Sequence, residues 1–306
     1  MVAKRYFSHK RLAGATMLSF PILCVALCVI RLTVSIDAGP VLDIDRNDLL
    51  TPYSIGRPFV TQSWSNNGEN AYWDFAGCAV MTENYVRVAS QKRLNCPGSL
   101  WSLTPFPYTT FRVIMAVRIW STHNHGEHGV GLWFTKVPQG TQQDRSFFGG
   151  AGVFDGVGVI IDTAQYPAAF RVMYSNGKPH TQSRELCGCS YSARNIVKEG
   201  SVYVDLEYKD EIFTVQVFAD GGFHAQLCCQ TVEPVSLPEN GYFAVTALNG
   251  AEVGLGETVD LTSFKVTSVN PFAEEDRRTV SSLEHHSYDP EKDKQERERF
   301  QDASYG

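Results

Sequence analysis

Three short stretches hold side chains whose type and spacing suit chemistry. The first, "GVGVIID" (156–162), is strand-forming and ends on an acid, Asp162, before "TAQYP" turns the chain. An acid at a sheet edge is a metal-ligand candidate, although calcium asks for six to eight hard oxygens and one carboxylate supplies at most two. The second, "STHNHGEHG" (121–129), sets His123, His125 and His128 beside Glu127, a spacing that presents three imidazoles to zinc or copper. The same histidines would charge as a compartment acidifies, and the plainer reading is a polar hairpin that happens to be histidine-rich. The third, "DLEYKDE" (205–211), places Asp205 and Glu207 on one strand face, as a jelly-roll glycosidase sets two carboxylates across a cleft. Asp210 and Glu211 fall in a turn, so a solvated face is the simpler explanation, and no serine sits in a nucleophile elbow.

The elements that must carry these residues are strands. From about residue 41 to 270, short apolar runs alternate with Gly, Pro, Asn and Asp: 111–119, 130–135, 156–162, 169–174, 202–208, 212–218, 241–248 and 259–267. Val202, Val204, Leu206 and Tyr208 recur at period two, the mark of a sheet with one face buried. "YKDEI" and "FADGGF" supply hairpin turns between consecutive strands. No amphipathic helix of a dozen residues interrupts the series, so the reading is all-β, two sheets packed as a sandwich or jelly roll. The five tryptophans, Trp64, Trp73, Trp101, Trp120 and Trp133, could build a sugar-stacking platform, but Trp73, Trp101 and Trp133 read as core, and Trp64 is the one expected to be exposed.

The two ends differ from the middle. Residues 1–11 carry four bases and no acid, followed by nineteen uncharged residues, "LAGATMLSFPILCVALCVI". That is the layout of a secretory signal peptide, cleaved after Ser35 or Ala38, and it is nearly long enough to be an uncleaved membrane anchor instead. Residues 271–306 hold ten acids and six bases, a solvated tail or the start of a stalk helix, and account for −4 of the net charge of −6. No basic face for nucleic acid is implied. The organisation is therefore 1–38 signal or anchor, 41–270 globular domain and 271–306 charged tail. Beyond the apolar segment lie six cysteines, Cys78, Cys96, Cys187, Cys189, Cys228 and Cys229. An even count in an exported chain favours disulfides over a zinc site, with about fifteen connectivities open.

Several stretches, taken together and in order, resemble the legume-like (L-type) lectins that serve as glycoprotein cargo receptors between endoplasmic reticulum and Golgi. They are "YWDFAGCAV" (72–80), "YVRVASQKRLNCPGSLWSLTPF" (85–106), "GVGLWFTKVP" (129–138), "FFGGAGVFDGVGVIIDT" (147–163), "SNGKPH" (175–180), the Cys189 to Cys229 region and "GYFAVTALNG" (241–250). The resemblance implies a concanavalin-like jelly-roll β-sandwich and a disulfide between Cys189 and Cys229. Cys187 with Cys228 is then inferred to lie beside it, and Cys78 with Cys96 to staple the early strands.

It also implies a calcium ion shaping a mannose site, and each position can be compared. The strand-end Asp is retained as Asp162, the carbonyl-donating place is Ala164, and Tyr166 stands where the family has an Asn touching both metal and sugar. His128 replaces the sugar-binding Asp; the shortened loop "KPHTQSRELCGC" offers His180 and Glu185; Gly254 and Leu255 match the Gly-Leu pair whose amide meets the sugar. Asp162 and Glu185 together supply too few oxygens for a calcium cage, so Asp162 reads as a remnant that caps its strand or bonds the next turn. The expected protein is a non-enzymatic recognition protein of the secretory lumen, in the ER or Golgi, with a degenerate calcium and sugar site. Its partners would be glycoprotein cargo or a lectin-family subunit for which it serves as an adaptor without binding glycan.

Overall fold

The computed structural model describes residues 49–60, 72–123, 126–196, 198, 200–220, 225–251 and 254–269. The expected signal or anchor segment, Trp64, His125 and the charged tail lie outside them. Among the described residues the strands are β1 (Trp73–Gly77), β2 (Val80–Met81), β3 (Val86–Ala89), β4 (Gly98–Ser102), β5 (Phe111–Trp120), β6 (Gly129–Thr135) and β7 (Val153–Asp162). There follow β8 (Ala168–Pro179), β9 (Arg184–Tyr191), β10 (Val202–Lys209), β11 (Ile212–Ala219), β12 (Gln226–Gln230), β13 (Tyr242–Leu248) and β14 (Thr258–Thr267). They form two antiparallel sheets, in the orders β1-β4-β13-β6-β7-β8-β9 and β12-β11-β10-β5-β14-β3-β2. This is the all-β sandwich that the strand pattern implies. No helix among the described residues is long and apolar enough to cross a membrane.

The period-two residues of β10 enter the core as their spacing requires: Val202, Val204, Leu206 and Tyr208 are all buried between the sheets. Phe106, Phe111, Phe134 and Phe243 meet there edge-on or tilted, at centroid separations from 5.0 to 6.0 Å. Asp210 and Glu211 make the two-residue β10–β11 turn with φ of 52° and 60°, the left-handed backbone that a tight hairpin needs.

β6 does not alternate in burial, because both faces of its sheet are covered. Val130, Leu132 and Phe134 face the main core, while Trp133 points the other way into a smaller cluster with Trp101, Phe154, Phe147 and Phe148. Glycines make the slot for its indole: a Cβ at Gly131, Gly150 or Gly158 would lie within 2.4–2.6 Å of the Trp133 ring. The indole N–H donates to Thr246 Oγ1 at 2.8 Å, and Thr246 donates to the Phe148 carbonyl at 2.7 Å, fastening the covering loop to the sheet.

β9 and β12 are the edges of different sheets and are joined by two disulfides. The pairing corrects the expected one. Cys187 bonds Cys229 and Cys189 bonds Cys228, with Cα separations of 5.8 and 5.1 Å. Cys187 and Cys189 share one face of β9, and Cys228 is the extra residue of a bulge opposite Val215 and Gln216. A bulge turns two consecutive side chains to one side, so Cys228 and Cys229 both face β9 and pair with it in reversed order. Cys78 and Cys96 form the third bridge, with Cα atoms 5.7 Å apart.

Candidate recognition site

Asp162 closes β7 at the end of the first sheet, opposite Gly129 on one side and Ala169 on the other. Its Oδ1 accepts the Ala164 N–H at 3.0 Å, a bond that begins the following turn. Its Oδ2 lies 3.5 Å from Arg171 Nη2, and the same guanidinium lies 4.0 Å from Glu185 Oε2. Thus the two acids singled out for a metal share one arginine, on three adjacent strands. Among the described residues no group of three or more His, Cys, Asp or Glu side chains is arranged to hold a metal; His125 of the histidine-rich loop lies outside them.

Below the strand end is a buried polar network. Glu257, 1% exposed, pairs with the Arg194 guanidinium and accepts from Thr163 Oγ1. Arg194 also donates to the Thr163 carbonyl at 2.8 Å, and Thr163 donates its N–H to the His128 carbonyl at 2.8 Å, with its hydroxyl oxygen 2.9 Å from the same carbonyl. The Gly126 N–H reaches the Thr163 carbonyl at 2.8 Å, in space that any Cβ on Gly126 would take from the Glu257 carboxyl. Asn249 clamps the Glu257 backbone from both sides and reaches Ser90. Burial pushes the Glu257 carboxyl up from its ordinary value, and Arg194 and Thr163 pull it back in part. These bonds tie segments 126–128 and 162–164 to Arg194, Asn249 and Glu257 as one rim.

Five residues were expected to line a sugar site, and they do not converge. Among the five, His128 joins this network through its carbonyl, whereas Tyr166 lies beyond it in the turn and is 67% exposed, Gly254 sits next to His123, and Leu255 follows Gly254. His180 does not join them. It follows Pro179, which pairs with Val153, whereas Asp162 pairs with Ala169, so the β7–β8 register puts His180 at the opposite end of the hairpin. There its Nδ1 lies 3.2 Å from the Gly152 carbonyl and its ring stacks on Phe147 at 4.6 Å. Nearby Asp144 is held below the usual carboxylate range by hydrogen bonds from Ser146. The carboxylate of the glycosidase reading is occupied too: Asp205 is bound by Arg112 at 2.9 and 2.6 Å on the outer face of β10.

Sequence reasoning missed Arg171, Arg194 and Glu257. For Arg171 a signal existed: in "AFRVMY" it is the charged residue of an otherwise apolar strand, at a position alternate to Phe170 and Val172. Arg194 and Glu257 lie 63 residues apart in loops, and nothing local marks them as partners.

With this geometry in hand, comparison with known proteins is informative. Residues 46–276 match the model of the legume-like lectin family. Human protein ERGIC-53 is 25% identical over 262 residues, covering 80% of this chain and 49% of the relative. Canine vesicular integral-membrane protein VIP36 is 26% identical over 214 residues, covering 63% of this chain and 56% of the relative. The chain thus spans about half the length of these relatives. The crystal structure of the VIP36 exoplasmic/lumenal domain in its Ca2+/Man3GlcNAc-bound form superposes with a TM-score of 0.59 at 21% identity, covering 80% of this chain and 94% of that one. At that identity the likeness shows the shared sandwich.

Proposed function

Because the chain belongs to the legume-like lectin family, we propose that it is a non-enzymatic recognition protein of the secretory-pathway lumen that binds mannose-bearing glycoprotein cargo between the ER and the Golgi. Residues 41–270 are the recognition domain in this reading, 1–38 the signal or membrane anchor and 271–306 a charged tail. The observation that carries the proposal is the rim around Thr163. Its loops are held by hydrogen bonds around Thr163, while Tyr166 and Gly254 are exposed, which suits a shallow site for hydroxyl-rich ligands. Support comes from the VIP36 lumenal domain, which shares the fold and whose structure holds a mannosyl glycan. Calcium dependence is left out of the proposal, because Asp162 and Glu185 already share a guanidinium. The test is binding of a high-mannose glycan to the full chain and to Tyr166→Ala. Loss of an exposed aromatic from a binding surface should weaken affinity at least about fivefold; equal affinity would remove Tyr166 from the site.

A second reading draws on His180. With that residue stacked on Phe147 away from the rim, the sugar contacts are incomplete, which favours an adaptor subunit that binds a glycan-binding relative rather than the glycan. Its test is co-purification with such a relative after glycan competition, and dissociation by free mannose would contradict it.

A further inference from the structure

Calcium-bound forms of the VIP36 lumenal domain are known, and the strand-end acid that suits such an ion is present here as Asp162. The donor set around it does not fit calcium. Asp162 Oδ1 is engaged by the Ala164 amide at 3.0 Å, and Oδ2 faces Arg171 at 3.5 Å. Glu185, the other acid within reach, approaches the same guanidinium at 4.0 Å. Calcium needs six to eight oxygens at about 2.3–2.6 Å, and a positive charge 3.5 and 4.0 Å from the two carboxylates opposes the ion.

The position of Arg171 follows from the strands. It pairs with Ile160 on β7 and with Gly188 on β9, so its side chain stands between the ones that carry Asp162 and Glu185. Gly188 lets β8 and β9 approach here: a Cβ on it would lie 2.4 Å from the Phe170 carbonyl oxygen. A second guanidinium, Arg194, neutralises Glu257, the other acid whose charge Asp162 feels. Asp162, Glu185 and Glu257 therefore each have an internal cation. We infer that Arg171 serves as a built-in cation in place of a divalent metal, bridging Asp162 and Glu185 across β7, β8 and β9, so that the rim is organised without calcium.

The inference concerns the metal and is read without any glycan, so it stands or falls apart from the function proposed above. The experiment is thermal unfolding of the full chain in calcium and in chelator, together with terbium luminescence as a direct reading of ion binding. Calcium at about one hundred times its dissociation constant would raise the melting temperature of a metal-holding domain of this size by roughly 5–10 °C. The wild-type chain is expected to show no such rise and no stoichiometric terbium signal. Arg171→Met, which leaves both acids without their cation, is expected to melt lower than wild type and to be stabilised by calcium. Arg171→Lys, which keeps the charge, should remain indifferent. Calcium stabilisation of the wild type that Asp162→Asn abolishes would overturn the inference, and this arm does not depend on the folding of any arginine variant. Equal indifference of a folded Arg171→Met and the wild type would overturn the assignment of Arg171 as the excluding cation.

Discussion

Replacing Arg194 by Met removes the cation from a pair whose side chains are 5% and 1% exposed. Breaking such a pair from one side costs about 3–5 kcal/mol, because the remaining charge stays in poorly solvated surroundings. In a domain of this size each kcal/mol moves the unfolding midpoint by about 2–4 °C, so the melting temperature should fall by roughly 6–20 °C. The pH dependence then identifies the cause. Burial already pushes the Glu257 carboxyl up, with Arg194 the first of the groups that hold it back, so the variant's folded-state value rises further. An acid with a folded value above its unfolded one favours the native state below the unfolded value and loses that contribution as pH rises through the folded value. The gap between wild type and variant should therefore be smallest near about pH 4–5 and widest at neutral pH. Differential scanning calorimetry across that range reads both quantities. A gap that does not change with pH, or a neutral-pH shift under about 2 °C, would refute the claim that this pair holds the rim from a buried position.

Two further outcomes test other parts of the structure. Tyr203 stacks on Phe218 at 4.6 Å and donates to Asp220 at 2.9 Å; burial first, then the Asp220 charge, pushes its phenol up. Its contribution is fully present below the ordinary phenol value of about 10 and is lost as pH rises above it, so Tyr203→Phe should flatten the alkaline fall in denaturant stability, and an unchanged slope would contradict the assignment. Cys189→Ser should leave Cys228 as the alkylatable thiol, whereas the pairing expected from the family would free Cys229; fragmentation of the alkylated peptide distinguishes them.

The core strands were legible as apolar runs, alternating in β10 and β11 and buried nearly throughout in β5 and β13: β5, β7, β10, β11, β13 and β14 match those runs to within a few residues. β9 and β12 were not, since "RELCGCSY" and "QLCCQ" are edge strands whose side chains are exposed or half-buried and show no apolar run. The cysteine partners illustrate the limit: two adjacent cysteines offer two registers, and a single bulge decides between them. The position of Asp162 at a strand end was legible because it is local, whereas His128 meets the network through its backbone carbonyl, which its side-chain type does not foretell. Sequence reasoning failed at His180, where the length of β8 carries the residue to the far end, and at Glu257, which reads as a loop acid in "LGETVD" until the fold brings Arg194 beside it. Charges that neutralise one another across 63 residues leave no pattern in one sequence.

Recognition of mannose-bearing ligands by a rim that needs no metal is tested most directly by calorimetric titration of the full chain with a high-mannose glycan, once in calcium and once in chelator. The account predicts saturable heat with the same affinity in both. Heat in calcium alone would leave recognition standing and overturn the role of Arg171; absence of heat in both would contradict the glycan reading itself.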